Sequence, residues 1–218
     1  MKFRATKWLK HLALLSVMVF AVCLSYLHGV VKDEFSQPLD LTNSQLSLEA
    51  YPKALVNMLL ITEDQSFFNH FGVDFTEIVR VLRDNWLYDR PMRGASTLSQ
   101  QMIKNSLLTR DKTYERKFKE ALMALLLELS FDKKEILVRY MNSVYLGQYG
   151  RFEVRGFEHA ARFYFNKEVS ELSLEGLATL VALIKGPSYY HPTRHPGRLL
   201  KRRDLVLRLY HKYQKVVK

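Results

Sequence analysis

Residues 11–31 contain no Asp, Glu, Lys or Arg, and Lys2, Arg4, Lys7 and Lys10 stand ahead of them. About 20 apolar residues are enough for a helix to cross a bilayer. The run is longer than a signal-peptide core and lacks a clear small-x-small cleavage site, so an uncleaved anchor is expected rather than a cleaved leader. Basic residues before the run and mixed charge after it (Lys32, Asp33, Glu34) place the N-terminus in the cytoplasm. The chain is then a single-pass protein of the cytoplasmic (inner) membrane, with its remaining mass outside, in the periplasm or exterior. Cys23, the sole cysteine, falls within the run, which excludes an intrachain disulfide and a cysteine metal site.

The 218 residues, 48% of them hydrophobic, suffice for one sizeable core. The expected organisation is a basic flank (1–10), an anchor (11–31), a connector (32–50) and one domain (51–218). Net charge is +11; without the four basic residues of the flank, 29 basic face 22 acidic residues, leaving +7. Such a surplus suits nucleic acid, anionic lipid headgroups or a phosphate-bearing substrate. An exported domain rarely meets nucleic acid, so membrane lipids and a phosphate-bearing substrate are the expected partners.

Apolar periodicity predicts helices near 52–64, 74–88, 96–108, 112–130, 133–143, 154–164, 173–185 and 197–215. Ser96 and Ser173 are the predicted N-caps of two of them. Pro91, Pro187, Pro192 and Pro196 fall between the helices, where proline is tolerated. Residues 121–131 are apolar on nearly every side, the mark of a central buried helix. No run alternates cleanly with period two, so the expected fold class is all-α.

Polar residues interrupt this background as short signatures. Glu63 and Asp64 end an apolar run, followed by Phe67, His70 and Gly72. A carboxylate held among apolar neighbours is disfavoured in its charged form, which raises its pKa toward the range useful for proton transfer. In the second signature, Arg93 and Gly94 open into a helix carrying Ser96, Thr97, Gln100, Gln101, Lys104 and Asn105. The free N–H groups of such a helix start favour anions. Thr97, Gln101 and Lys104 recur at spacings of four and three, which would set hydroxyl, amide and ammonium on one stripe suited to a sugar pyrophosphate. In the third, Lys112, Arg116, Lys119 and Glu120 share a stripe, with Lys117 beside them. Arg116 and Glu120 suit an ordinary i, i+4 surface pair, or a carboxylate facing a cleft where lysines, arginines or Mg²⁺ offset phosphate charge.

These signatures resemble the family 51 peptidoglycan glycosyltransferases, the glycan-polymerising domain of penicillin-binding proteins and of their monofunctional relatives. The family's E-D-x-x-F-x-x-H-x-G is matched by Glu63, Asp64, Phe67, His70 and Gly72, its G-x-S-T-x-x-Q-Q-x-x-K-N by Gly94 through Asn105, and its R-K-x-x-E by Arg116, Lys117 and Glu120. A fourth likeness runs from Lys133 to Asn142 with Tyr145, Leu146 and Gly147; a fifth covers Gly156–Ala161 and Tyr164–Lys167; Lys185–Tyr190 is similar too. The resemblance spans roughly residues 50–200, in order and at matching spacing. Three departures stand out: Val138 where many members have Glu, Asn166 where Gly is usual, and His191 where Asn is common. No Lys-Thr-Gly of the transpeptidase domain occurs, and a monofunctional polymerase is expected.

The resemblance implies a lysozyme-like helical domain that joins lipid II units to a nascent glycan strand. The 4-hydroxyl of one disaccharide attacks the anomeric carbon of the growing chain, undecaprenyl pyrophosphate leaves, and the configuration inverts. Glu63 would be the base, as in inverting glycosidases with a sugar hydroxyl replacing water. Glu120, with or without a divalent cation (Mg²⁺ or Mn²⁺), is the second expected catalytic carboxylate. Arg93, Ser96, Thr97, Gln100, Gln101, Lys104, Asn105, Lys112, Arg116, Lys117 and Lys119 are the expected substrate-binding residues. Asp64, Phe67, His70, Gly72 and Gly94 are expected to be structural. No organic cofactor is implied; bifunctional penicillin-binding proteins or other cell-wall synthesis proteins are the implied partners.

A basic amphipathic stretch over 73–90, with Phe75, Val79, Leu82, Trp86 and Tyr88, could lie on the bilayer surface and bring a lipid-linked substrate to the cleft. The basic tail 197–218 is expected to pack on the domain's own core. Two rival functions remain at this level. A membrane-bound lytic glycan hydrolase would need only one catalytic Glu, but no pyrophosphate site. A non-enzymatic cell-wall scaffold would not need Glu63, Lys104 and Glu120 together.

Overall fold

The computed structural model describes residues 2–38, 45–89, 94–109, 111 and 113–213, the side chains of 2–7 excepted. Arg93 and Lys112 lie outside the described residues. The first helix, α1 (Lys2–Ser36), contains one stretch, Trp8–Ser36, long and apolar enough to cross a membrane. Only 11% of its most apolar window is buried, so it is not the core helix of a soluble domain. The helix runs past the expected span into the connector. Val31 and Phe35 are buried in the core, and Arg139 donates to the carbonyls of Glu34, Phe35 and Gln37, the groups a helix end leaves unpaired. His28 and Ser130 share a 2.7 Å hydrogen bond on the same contact.

The domain proper is built from α2 (Lys53–Glu63), α3 (Phe75–Tyr88), α4 (Leu98–Leu107), α5 (Tyr114–Ser130) and α6 (Lys133–Ser143), followed by α7 (Phe157–Phe165), α8 (Leu174–Ile184) and α9 (Pro196–Tyr213). The predicted helices are all present, with ends displaced by a few residues. In α5, Met123, Ala124, Leu126 and Leu127 are buried, as a central helix requires. The most apolar helix, α8, packs on α9, α2 and α7, and Leu199 and Val206 of α9 enter the same core. The C-terminal helix therefore covers the domain's own core, as expected. Helix α3 differs: of its side chains only Val81 is buried, while Phe75, Val79, Leu82, Trp86, Leu87 and Tyr88 are exposed.

A two-stranded antiparallel hairpin, β1 (Tyr145–Tyr149) with β2 (Phe152–Arg155), is the one sheet among the described residues of an otherwise all-α domain, and it displaces the predicted start of α7 from residue 154. Its register shifts between Tyr145 and Gly147, and Leu146 and Gly147 are buried side by side, so the period-two signal is erased. Tyr164 Oη donates to the Leu146 carbonyl at 3.0 Å, and its hydroxyl occupies the space that any side chain at position 147 would need.

Ser173 caps α8 as predicted, accepting from the Gly176 N–H, but Thr97 and not Ser96 caps α4. The Asn166 departure has a backbone reason: φ is +53° at the end of α7, a left-handed position that favours Gly and tolerates Asn next. His191, the third departure, accepts the N–H groups of Thr193 and Arg194 on Nδ1 at 3.2 and 3.3 Å. Ser130-Phe131-Asp132-Lys133 spells Ser-x-x-Lys, but Ser130 Oγ donates to the Leu126 carbonyl and Lys133 is paired with Glu128 at 2.8 Å.

Gly72 sits at φ +74°, and a Cβ there would lie 2.6 Å from the carbonyl oxygen of Ala124 in α5. Left-handed strain and a backbone clash would then combine. Gly72→Ala should lower unfolding stability by about 2 kcal/mol or more, read as a fall in denaturation midpoint in detergent.

Candidate active site

The site begins with two adjacent carboxylates that point different ways at the end of α2. Asp64 is buried, accepts the Leu98 N–H of α4 at 2.8 Å, and takes both its oxygens to His70 Nε2 at 3.0 and 3.1 Å. It pairs an amide at the start of α4 that would otherwise be orphaned, where the helix dipole also favours negative charge. Lys133, which neighbours His70 Nδ1 at 3.5 Å, lies 4.4 Å from the Phe67 ring centre. Asp64, Phe67, His70 and Gly72 thus form the frame that sets the end of α2 against α4 and α5.

The Glu63 side chain is 8% exposed. Gln101 Nε2 donates to its Oε2 at 3.1 Å, and Tyr140 Oη donates to Gln101 Oε1 at 2.9 Å, which fixes which end of the amide faces the carboxylate. Arg202 Nη2 stands 3.6 Å from Oε1. Burial pushes the Glu63 carboxyl above its ordinary value; the Gln101 hydrogen bond and the charges of Arg202, Lys185 and Lys104 pull the other way without cancelling it. Burial also raises Tyr140 well above the usual tyrosine range, with Glu63 and Asp64 adding to it, so its hydroxyl remains a donor.

The second carboxylate, Glu120, is 1% exposed on α5. Arg116 Nη1 holds Oε2 at 2.7 Å, Lys117 Nζ holds Oε1, and Lys117 also donates to Ser96 Oγ at 2.7 Å. Lys104 lies within electrostatic reach of both Glu120 and Glu63. Loss of water around it lowers its pKa, as do Lys117 and Arg116, while the two glutamates raise it. Gly94 approaches Lys185, whose Nζ would be 3.9 Å from a Cβ placed there. Cations from α4, α5, the end of α8 and α9 therefore surround the two glutamates.

The structure brings Glu63, Gln101, Lys104, Ser96, Arg116, Lys117 and Glu120 together. It turns Thr97 away from the stripe expected with Gln101 and Lys104, and it buries Gln100 too: both are 2% exposed and close a capping box on each other, and Thr97 Oγ1 donates to the Gly72 carbonyl at 2.6 Å. Asn105 and Lys119 are exposed on α4 and α5. Sequence reasoning assigned no role to Tyr140, Lys185 or Arg202. The clue for Arg202 was available, since it falls three residues after Leu199 and four before Val206, on the buried stripe of α9. A separate cavity of about 540 Å³, bordered by Phe35, Leu127, Phe131 and Arg139 where α1 meets α5 and α6, contains none of these groups.

A buried carboxylate with cations of several helices around it thus stands on a helical domain. The family model Transglycosylase matches residues 32–211. The chain is 44% identical to penicillin-binding protein 1B of Haemophilus influenzae, 46% to penicillin-binding protein 1B of Escherichia coli and 47% to penicillin-binding protein 1A of Aquifex aeolicus. Each match covers 75% of this chain and 21%, 19% and 22% of the respective relative, so the chain spans about a fifth of their length. The chain belongs to the transglycosylase family, the family 51 peptidoglycan glycosyltransferases, and its domain has their lysozyme-like helical fold.

Because burial raises Glu63 in the folded state, ionising it costs stability as pH rises from the unfolded value, near 4.5, through the folded one. A carbon-13 NMR titration of labelled glutamate should show one carboxyl titrating above that range, and Glu63→Gln should delete that resonance.

Proposed function

We propose that this domain polymerises peptidoglycan glycan strands from lipid II, with inversion at the anomeric carbon and release of undecaprenyl pyrophosphate. The observation that carries the reading is the buried Glu63 carboxylate at one side of a groove lined by Lys104, Arg116, Lys117 and Lys185. Glu63 accepts the proton of the attacking sugar hydroxyl as the new C–O bond forms. Charge develops at the same time on the departing pyrophosphate, and fixed cations lower the barrier by neutralising it. Gln101 orients the base, and Ser96, with Asn105 and Lys119 at the exposed margin, would meet sugar or phosphate. Arg93 and Lys112 are proposed to extend the anion site.

Glu120 acts through its neighbours in this scheme. Its two oxygens are occupied by Arg116 and Lys117 inside the domain, which fixes the two cations at the groove. In this arrangement Arg116 and Lys117 occupy both Glu120 oxygens, and a divalent cation (Mg²⁺ or Mn²⁺) beside Glu120 would be held mainly through the substrate phosphates. No step is routed through a metal.

The substrate is a lipid, and the surface of the domain suits delivery from a bilayer. Helix α1 anchors the domain in the cytoplasmic membrane with its N-terminus inside, and the exposed apolar side chains of α3 rest among lipid headgroups with Arg80 and Arg83 beside them. Bifunctional penicillin-binding proteins or other cell-wall synthesis proteins are proposed as partners of the assembled system. A lytic hydrolase would share Glu63 but would have no use for Lys104 and Lys185 beside it with Arg116 and Lys117 on the neighbouring Glu120, and a scaffold would not keep a buried carboxylate at an energetic cost.

Detergent-solubilised protein incubated with labelled lipid II should yield polymer resolvable on a gel. Glu63→Gln should reduce the rate by at least about 100-fold, and Lys104→Ala or Arg116→Ala should lower it less. Absence of polymer from the folded parent, or release of short glycans from added peptidoglycan instead, contradicts the proposal.

A further inference from the structure

The contact between Glu63 and Arg202 joins residues far apart in sequence, and Arg202 lies outside every signature that carries the family resemblance. Arg202 comes from α9, which packs along α2 and α8. Its side chain is 16% exposed, and its Nε is buried with no hydrogen-bond partner. A guanidinium is not held in that condition by its own hydrogen bonds. What faces it is Oε1 of Glu63, at 3.6 Å: close enough for charge attraction, too far for a hydrogen bond.

The two oxygens of Glu63 are therefore unlike. Oε2 accepts from Gln101, which Tyr140 holds in one orientation. Among the described residues Oε1 accepts from no donor, while the guanidinium beside it favours the ionised carboxylate. The other charged or titratable groups around Glu63 are Lys104 from α4, Lys185 at the end of α8, Tyr140 from α6 and Asp64 next in the chain. Asp64 is engaged by His70 and Leu98, and Arg203, the next residue on α9, is paired with Asp204 at 2.7 Å. Lys104 and Lys185 have the substrate phosphates to meet in the proposed function; Arg202 is the cation committed to the base itself.

We infer that Arg202 is a positioning residue that keeps Glu63 ionised and leaves Oε1, and not Oε2, as the atom that takes the proton from the attacking hydroxyl. The inference rests on the proposed function for the identity of the hydroxyl, but the electrostatic relation between Arg202 and Glu63 stands apart from it. In the step itself, the hydroxyl proton moves to Oε1, the sugar oxygen forms its bond to the anomeric carbon, and the bond to pyrophosphate breaks. No other reactant is needed. The neutral acid formed on Oε1 no longer attracts the guanidinium, and the proton must leave to solvent before the next cycle.

Two readouts on the full chain test this, with Arg202→Met removing the charge at similar length and Arg202→Lys retaining it. The carbon-13 titration of Glu63 should move to higher pH in Arg202→Met and return toward the parent in Arg202→Lys. In the lipid II assay, Arg202→Met should lose about tenfold in kcat/KM on the acid side of the Glu63 titration, with the loss shrinking as pH rises, because an opposite charge this close favours the ionised carboxylate. An unmoved Glu63 titration in folded Arg202→Met, or a rate loss equal at every pH, overturns the inference. If the parent makes no polymer but the titration moves as stated, the pairing stands and the proposed function falls. If Arg202→Met fails to fold, Arg202→Gln takes its place with the same two readouts: an unmoved Glu63 titration, or a rate loss equal at every pH, overturns the inference as well.

Discussion

The Asp64 carboxylate holds the end of α2 to the start of α4, and the geometry of the site follows from that joint. By accepting the Leu98 N–H it pairs a helix-end donor inside the protein, and by engaging His70 it connects to the turn that carries Gly72. A buried donor left unpaired costs about 1–3 kcal/mol, so the joint is favoured in one arrangement. Gly72 then lets the turn pass against the backbone of Ala124, and its carbonyl receives Thr97 Oγ1. With α4 fixed in this way, Gln101 falls beside Glu63 one turn further on.

Adjacent carboxylates here have opposite fates because their surroundings differ. Asp64 is saturated by donors and serves as a strut. Among the described residues Glu63 has a single hydrogen bond, and burial dominates, so its charged form is disfavoured. Glu120 is a third case, buried but fully paired with Arg116 and Lys117. A groove with a weakly compensated base at one side and firmly held cations at the other suits proton removal coupled to departure of an anion.

Much of this was legible in the sequence because it is local. The helices carry strong 3.6-residue periodicity, and Glu63, Lys104, Arg116, Lys117 and Glu120 occur in short signatures. What was not legible depended on tertiary contacts or on exact helix starts. The stripe argument for Thr97 assumed a helix already under way at that residue; the helix begins at Leu98, so the cap turns Thr97 back toward Gly72. The hairpin escaped because a register shift buries consecutive residues. Arg202 looked like one more basic residue in a basic helix, and only packing of α9 on α2 brings it to Glu63.

The central claim is that ionised Glu63, buried and raised in pKa, is the base. Its most direct measurement is the initial rate of lipid II polymerisation by the parent protein at limiting substrate, from about pH 4 to pH 9. The account predicts a rate that climbs with pH through one apparent pKa above the ordinary glutamate value of 4.5, matching the carboxyl assigned to Glu63. A rate independent of pH across that acid range, in protein that remains folded, would contradict it.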